Sequence, residues 1–436
     1  MSQADTTPAL ARTLKRRHVT MITLGGVIGA GLFVGSSAAI ASIGPAVVIS
    51  YALAGAIVLV VMRVIAALAI ALPHAGTFTE YARAGLGRWA GFTAGWLYWY
   101  FWAVVIGIEA IAGAGIVALW VDLPVWVIGA GLMLLMTASN LLSARSFGEF
   151  EFWFSTIKVV AIALFIIVCS VFLFGSPAST GVANLTNDGG LAPMGWGAVI
   201  AGVTTVIFAL VGAEIVTVAA AEAEDSAQLV ARMASTLILR ISIFYIGAIS
   251  LIVCIVPWRS IVAGQSPFAA ALDVVGVPGT ALMMNLLVLV AVLSCLNSAI
   301  YVASRVLFTL AANGDAPRWS VALNRRGVPA RAIVACMAVG FACVLASVVS
   351  PSVVFAFLVN ASGATMVFVY SLVVIAAIRL GVGGGMLRWG RYAAVAAMLG
   401  VLAAMALTPD LAPQFWASLG FLGLVLIAAA ATRKRL

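Results

Sequence analysis

Three ionisable residues stand deep inside apolar runs of this chain: Glu109 between Ile108 and Ala110, Lys158 between Ile157 and Val159, and Glu214 after Val211-Gly212-Ala213. At the centre of a bilayer such a group costs about 2.5–3.5 kcal/mol even on the lenient insertion scale. A cluster of them can move protons, because a buried group that gains or loses charge with its surroundings ties protonation to conformation. Lys158 has two readings, a fixed tether to the carbonyls of a broken helix, or a tether that also takes part in proton coupling. Glu109 reads equally as a buried structural hydrogen-bonder or a coupling group. Glu214 stands at the break in the sixth span, two residues after Gly212, and is expected on the substrate path. Arg63, Arg240 and Arg305 lie towards span ends, where their charges are expected to snorkel to the interface.

The backbone carries a second kind of chemistry. Gly25-Gly26-Val27-Ile28-Gly29-Ala30-Gly31-Leu32-Phe33 places four glycines in an otherwise membrane-length apolar segment. Each glycine costs about 1 kcal/mol relative to alanine in a helix interior. Unpaired backbone at membrane depth is tolerated where it lines a cavity or is buried in protein. A break at Gly29–Gly31 frees N–H groups at the positive start of the second half-helix, which suits a carboxylate. Carbonyls ending the first half, near Val27, suit an ammonium. A second interrupted run, Val206-Ile207-Phe208-Ala209-Leu210-Val211-Gly212-Ala213-Glu214, is expected to close the site with Phe208 and the backbone around Ala209. A ligand bearing both groups is an amino acid. A nucleotide-loop reading of Gly-x-x-Gly-x-Gly fails because no strand precedes it.

The elements that must position these groups follow from composition. The chain of 436 residues is 64% hydrophobic and 8% charged, against about 25% charged in an ordinary soluble domain. A span needs about 20 apolar residues, and twelve are predicted: about 20–42, 46–72, 88–118, 124–143, 152–175, 197–220, 236–256, 278–311, 331–350, 352–378, 392–408 and 413–432. Interrupted spans at positions one and six predict a five-plus-five inverted repeat. The expected organisation is a cytoplasmic tail over 1–19, a ten-helix core over 20–378, a linker over 379–391 that includes Gly381-Val382-Gly383-Gly384-Gly385, two accessory helices over 392–432, and a cytoplasmic end over 433–436. The segment Thr77–Arg83 is expected along the cytoplasmic surface.

The net charge of +9 is read as a topology signal. Arg12, Lys15, Arg16 and Arg17 precede the first span, and the even-numbered loops carry Arg83, Arg88, Arg145, Arg232, Arg318, Arg325, Arg326, Arg331, Arg388 and Arg391. Both termini are therefore expected in the cytoplasm, and nucleic acid is excluded as a partner. No signal-peptide cleavage site is evident. Cys169, Cys254, Cys295, Cys336 and Cys343 lack metal or redox spacing and are expected in packing, and His18 and His74 are too far apart to suggest a metal. The cluster Trp96, Tyr98, Trp99, Tyr100, Phe101 and Trp102 suits a lipid-facing or helix-packing stretch better than a cation cage. No paired metal ligands or nucleophile elbow supports a membrane enzyme.

Longer motifs then match a known family. His18-Val19-Thr20-Met21-Ile22, the glycine run continued to Ser37, Gly44-Pro45-Ala46, Gly87-Arg88-Trp89-Ala90-Gly91, Gly95-Trp96-Leu97-Tyr98-Trp99, Gly148-Glu149-Phe150-Glu151-Phe152-Trp153, Gly212-Ala213-Glu214-Ile215-Val216-Thr217, Arg240-Ile241-Ser242-Ile243-Phe244-Tyr245 and Cys295-Leu296-Asn297-Ser298-Ala299 resemble the amino-acid–polyamine–organocation superfamily. Within its amino acid transporter family the chain is most similar to bacterial 4-aminobutyrate (GABA) permeases, over roughly residues 15–380.

The resemblance implies an all-α membrane protein of the leucine-transporter type, in the bacterial inner membrane as a monomer or weak oligomer. It implies proton-coupled amino-acid uptake without a cofactor, the proton being the coupling ion. It puts the substrate carboxylate on the N–H groups of Ala30 and Gly31, the amine on the Val27 carbonyl, and Phe208 over the ligand as a gate. The substrate set is then Val27, Gly29, Ala30, Gly31, Phe208, Ala209, Val211, Gly212 and Glu214. Lys158 takes the place of a sodium ion and bridges spans one, five and eight, with Ser294 or Ser298 as the span-eight partner; Glu109 joins this coupling set. One stretch departs from the family. Relatives carry Met-Arg-Met-Leu-(Gly/Ala)-Glu-Met-Ala where this chain has Met62-Arg63-Val64-Ile65-Ala66-Ala67-Leu68-Ala69, so Ala67 replaces a glutamate, which leaves exchange open beside symport. The alternatives are a transporter of another amino acid (aromatic, basic or small neutral) and a non-transporting amino-acid sensor.

Overall fold

The computed structural model describes residues 16–73, 75, 77–142, 144–175, 182–220, 226–276 and 278–433. His74, with residues 1–15 and 434–436, lies outside them. Apolar, alanine-rich runs with few internal prolines make helices, and every regular element among the described residues is helical.

The first run breaks into α1 (Arg16–Val27), α2 (Ala30–Phe33) and α3 (Gly35–Ile43); α4 (Val47–Ala71), the short α5 (Phe78–Leu86), α6 (Arg88–Val117), α7 (Val125–Asn140) and α8 (Ala144–Gly175) follow. A second broken run comprises α9 (Gly195–Ala201), α10 (Val203–Leu210) and α11 (Ile215–Ala220). The remainder is α12 (Ser226–Ile255), α13 (Pro267–Val275), α14 (Thr280–Ala312), α15 (Ala330–Ala346), α16 (Pro351–Arg379), α17 (Met386–Leu407) and α18 (Ala412–Arg433). Eight helical stretches among the described residues are long and apolar enough to cross a membrane. Four shorter apolar helices, Ala30–Ile43, Val125–Asn140, Ser242–Ile255 and Ala330–Ala346, overlap the first, fourth, seventh and ninth expected spans.

Burial sorts these helices into a centre and a periphery. The most apolar stretch of α6 is 83% buried and that of the α9–α11 run 94%, against 33% for α17 and 17% for α18. Helix α6 packs against α14, α15, α16 and α7, while α1 packs against α8, α11 and α14. The broken runs therefore sit at the centre, and large exposed apolar side chains such as Ile167, Val171, Phe174 and Ile427 form an outer face suited to lipid.

At one end, α5 is held by charge. The Asp315 carboxylate accepts from Arg83 and from Arg88 (3.3 Å), and Arg83 also pairs with Glu80 at 3.1 Å. Burial alone lowers the pKa of Arg83, but the Asp315 hydrogen bond and the Glu80 charge outweigh it and hold the guanidinium above its usual value.

One detail differs from expectation. Arg305 does not snorkel: it is buried, with its guanidinium 3.9 Å from the centre of the Tyr301 ring and Nη1 donating to Ser304 Oγ at 3.2 Å. A planar, weakly hydrated cation can be stacked this way inside the protein. Arg63 and Arg240 are exposed. In the aromatic cluster, Tyr98, Phe101 and Trp102 are fully buried, so this stretch packs helices.

Candidate functional site

The break between α1 and α2 frees backbone groups that the fold must satisfy again. Ile28 N–H still reaches Leu24 O at 3.1 Å, and the ladder resumes with Leu32 N–H on Gly29 O at 3.2 Å. Between them, side chains from four other helices take over. The Cys295 thiol donates to the Gly26 carbonyl at 3.4 Å, the Tyr245 hydroxyl to the Val27 carbonyl at 3.0 Å, and the Lys158 ammonium to the Ile28 carbonyl at 2.7 Å. The first N–H of the second half, on Ala30, donates to both oxygens of Glu109, at 3.1 and 3.0 Å. Glu109 and Lys158 are each 1% exposed. The break thus holds a cation on its carbonyl side and an anion on its N–H side.

Gly29 permits this arrangement. A Cβ there would lie 2.6 Å from Cys295 and 2.7 Å from Glu109 Oε1. The second break crosses the first at Gly212, whose φ of 123° suits glycine and whose Cβ would stand 2.9 Å from the backbone of Gly26 and Val27. Beyond it, Glu214 is fully buried. Its carboxylate accepts from the Gly212 N–H (3.1 Å) and from the hydroxyls of Tyr98 on α6 (3.2 Å) and Tyr370 on α16 (3.0 Å).

A small cavity lies between the two breaks. Its walls are Gly26, Val27 and Gly31 from the first run, Phe208 and Val211 from the second, and Phe101, Trp102, Val105, Glu109 and Cys295 from α6 and α14. Its volume of about 10 Å³ holds about one water molecule, so an amino acid enters only if the walls move. Phe208 packs 5.9 Å, centre to centre, from Phe101.

Of the residues singled out in the sequence, Val27, Gly31, Glu109, Phe208 and Val211 meet at this cavity, with Ala209 against Gly31 and Gly29 against Glu109. Glu214 is not among the cavity walls. Lys158 lies just behind the first break. Ser294 donates to Glu151 Oε2 at 2.6 Å, and Ser298 is buried facing Gly26.

Glu151 is one residue whose part in the site was missed by sequence reasoning. It is fully buried, accepts from Ser294 and, at 3.2 Å, from Asn297, and Asn297 is tied in turn to Asn140 and Ser139 on α7. Seven residues before Lys158, it lies two turns away on the same face of α8. The signal was present in that spacing, but an expected span start at 152 left Glu151 just outside. Cys295, expected only in packing, lines the cavity, and Tyr245, part of a motif that carried the resemblance, had no site role assigned to it.

Comparison with known proteins agrees with this architecture. The amino acid permease family model matches residues 18–431. The chain is 43% identical to the gamma-aminobutyric acid permease of Bacillus subtilis, over 98% of this chain and 94% of that protein. It is 41% identical to the gamma-aminobutyric acid permease of Escherichia coli, over 87% and 83% respectively. It is also 37% identical to the aromatic amino acid transport protein of Corynebacterium glutamicum, over 86% and 83%.

Proposed function

The chain belongs to the amino acid permease family, and on that premise we propose that it takes up GABA or a related ω-amino acid together with protons, by alternating access. The observation that carries this reading is the pairing at the first break. An ammonium rests on the Ile28 carbonyl and a carboxylate on the Ala30 N–H, both buried, the carboxylate lining the cavity and the ammonium behind the break. A backbone that already holds one charge of each sign has the polarity a zwitterion needs. In this reading the substrate carboxylate uses the N–H groups of Ala30 and Gly31. Its ammonium uses the Val27 carbonyl, where one lone pair remains beside the Tyr245 bond. Phe208 closes over the ligand, and Lys158 and Glu109 exchange protons as the break opens and closes, with no further cofactor.

The scaffold proposed for this cycle is a twelve-span, five-plus-five inverted repeat with a core over 20–378 and accessory helices over 392–432. It sits in the inner membrane with both termini in the cytoplasm. GABA is preferred because the first-named relatives are GABA permeases. An aromatic amino acid is the second reading, favoured by the three rings of Phe101, Trp102 and Phe208 around the cavity.

Uptake of labelled GABA by proteoliposomes in sodium-free buffer, with and without an inward proton gradient, tests the reading. Gradient-dependent accumulation, competed by unlabelled GABA more strongly than by phenylalanine, is expected. Accumulation indifferent to the gradient removes the coupling, and accumulation of phenylalanine alone replaces the substrate.

A further inference from the structure

We propose that Glu109 is a built-in stand-in for the substrate's own carboxylate. It holds the Ala30 N–H until a carboxylate-bearing substrate displaces it, and the displaced side chain takes up the transported proton. This rests on the reading that the substrate carboxylate seats on the first break.

The geometry supplies the competition. Both oxygens of Glu109 lie within 3.1 Å of the Ala30 nitrogen, and Glu109 lines the same cavity as Gly31 and Phe208. One N–H makes one good hydrogen bond, so two carboxylates cannot both hold it. Glu109 is packed close against the break, where even a methyl group on Gly29 would fall 2.7 Å from Oε1, so a second carboxylate on the Ala30 N–H needs it to withdraw. The titratable groups facing Glu109 are Lys158 from α8, Cys295 from α14 and Tyr245 from α12. Among the described residues Lys158 is the cation facing Glu109, and its charge is shared with the Ile28 carbonyl and Glu151. A displaced carboxylate short of a full partner in this buried interior costs more than taking a proton.

The charge balance is one for one. Before binding, a single negative charge, that of Glu109, rests on the Ala30 N–H. After binding, the substrate carboxylate rests there, and a proton from water on the open side sits on a Glu109 oxygen. When the substrate leaves inward, the carboxylate returns to Ala30 and the proton is released on that side. Because the bound state carries the extra proton, affinity rises as pH falls, by up to about tenfold per pH unit. It levels off where Glu109 is already protonated in the free protein.

The test is calorimetric titration of purified protein with GABA, or with phenylalanine if uptake assigns the site to it, in two buffers of different ionisation enthalpy. The parent is expected to take up about one proton per ligand. Glu109→Gln is expected to bind with no proton uptake and an affinity that does not change with pH. Binding by the parent without proton uptake overturns the proposal, as does uptake by the Gln variant equal to the parent's. Should Glu109→Gln fail to fold, the ligand-induced infrared difference spectrum of the parent decides. A new protonated-carboxyl band is expected, and it must persist in Glu151→Gln and in Glu214→Gln; its loss in either moves the proton elsewhere and overturns the assignment. Gradient-driven accumulation without Glu109-linked proton uptake fails this inference alone, whereas absence of any accumulation fails the transport reading.

Discussion

Replacing Lys158 by alanine probes the tether at the first break most sharply. The Nζ–Ile28 O distance of 2.7 Å and full burial make this a charge-assisted hydrogen bond, worth about 1.5–3 kcal/mol net. Removing it strands the Ile28 carbonyl and deprives Glu109 and Glu151 of the ammonium that faces them. At about 1.4 kcal/mol per factor of ten, the tethered arrangement loses about 10- to 150-fold against any arrangement lacking the contact. The assay is gradient-driven accumulation in sodium-free proteoliposomes, run beside substrate counterflow in the same vesicles. Accumulation is expected to fall at least about tenfold. If counterflow falls equally, Lys158 is a tether alone; if counterflow survives, Lys158 also couples protons. Accumulation at the parent rate refutes the reasoning outright.

Other perturbations follow from the same geometry. Gly212→Ala places a Cβ at a φ of 123° and 2.9 Å from the Gly26 and Val27 backbone; backbone strain and overpacking together cost about 2–6 kcal/mol, so its unfolding temperature in detergent should fall clearly, and an unchanged value contradicts the crossing of the two breaks. Tyr370→Phe removes one of three donors to Glu214 and should cost about 1 kcal/mol in thermal unfolding while leaving the order of competing substrates unchanged; a changed order would support Glu214 as part of the substrate path. Arg83→Gln leaves the buried Asp315 with Arg88 as its remaining ion-pair partner and should destabilise by about 1–3 kcal/mol, an effect that a double-mutant cycle with Asp315→Asn would show to be largely shared. Phe208→Ala removes a cavity wall and should admit bulkier competitors in an uptake panel; unchanged selectivity argues against Phe208 as the gate.

The parts of this site that were legible in the sequence are those that break the rules of a lipid-embedded helix. Glycines at 25, 26, 29 and 31 weaken the first run, and Glu109 and Lys158 are charges where charge is costly. The groups that answer them were hidden. Tyr245 and Cys295 look like packing residues until the folded chain brings them to the freed carbonyls. A helix buried all round, as α6 is, gives no rotational phase from its apolar pattern, so nothing in Trp96–Trp102 singled out Phe101 and Trp102 as cavity walls. Glu151 was lost at a boundary, because α8 starts at Ala144 with a mixed polar turn that does not read as membrane-length. Arg305 shows the same limit in reverse: a charge close to a span end has a ready exit to water, and only tertiary packing reveals that it stays beneath Tyr301.

A structure of the protein with GABA bound tests the central claim most directly. The account predicts the ligand carboxylate within hydrogen-bonding distance of the Ala30 and Gly31 nitrogens, its ammonium at the Val27 carbonyl, and Glu109 withdrawn from Ala30. A ligand seated elsewhere, or bound with Glu109 still on the Ala30 N–H, contradicts it.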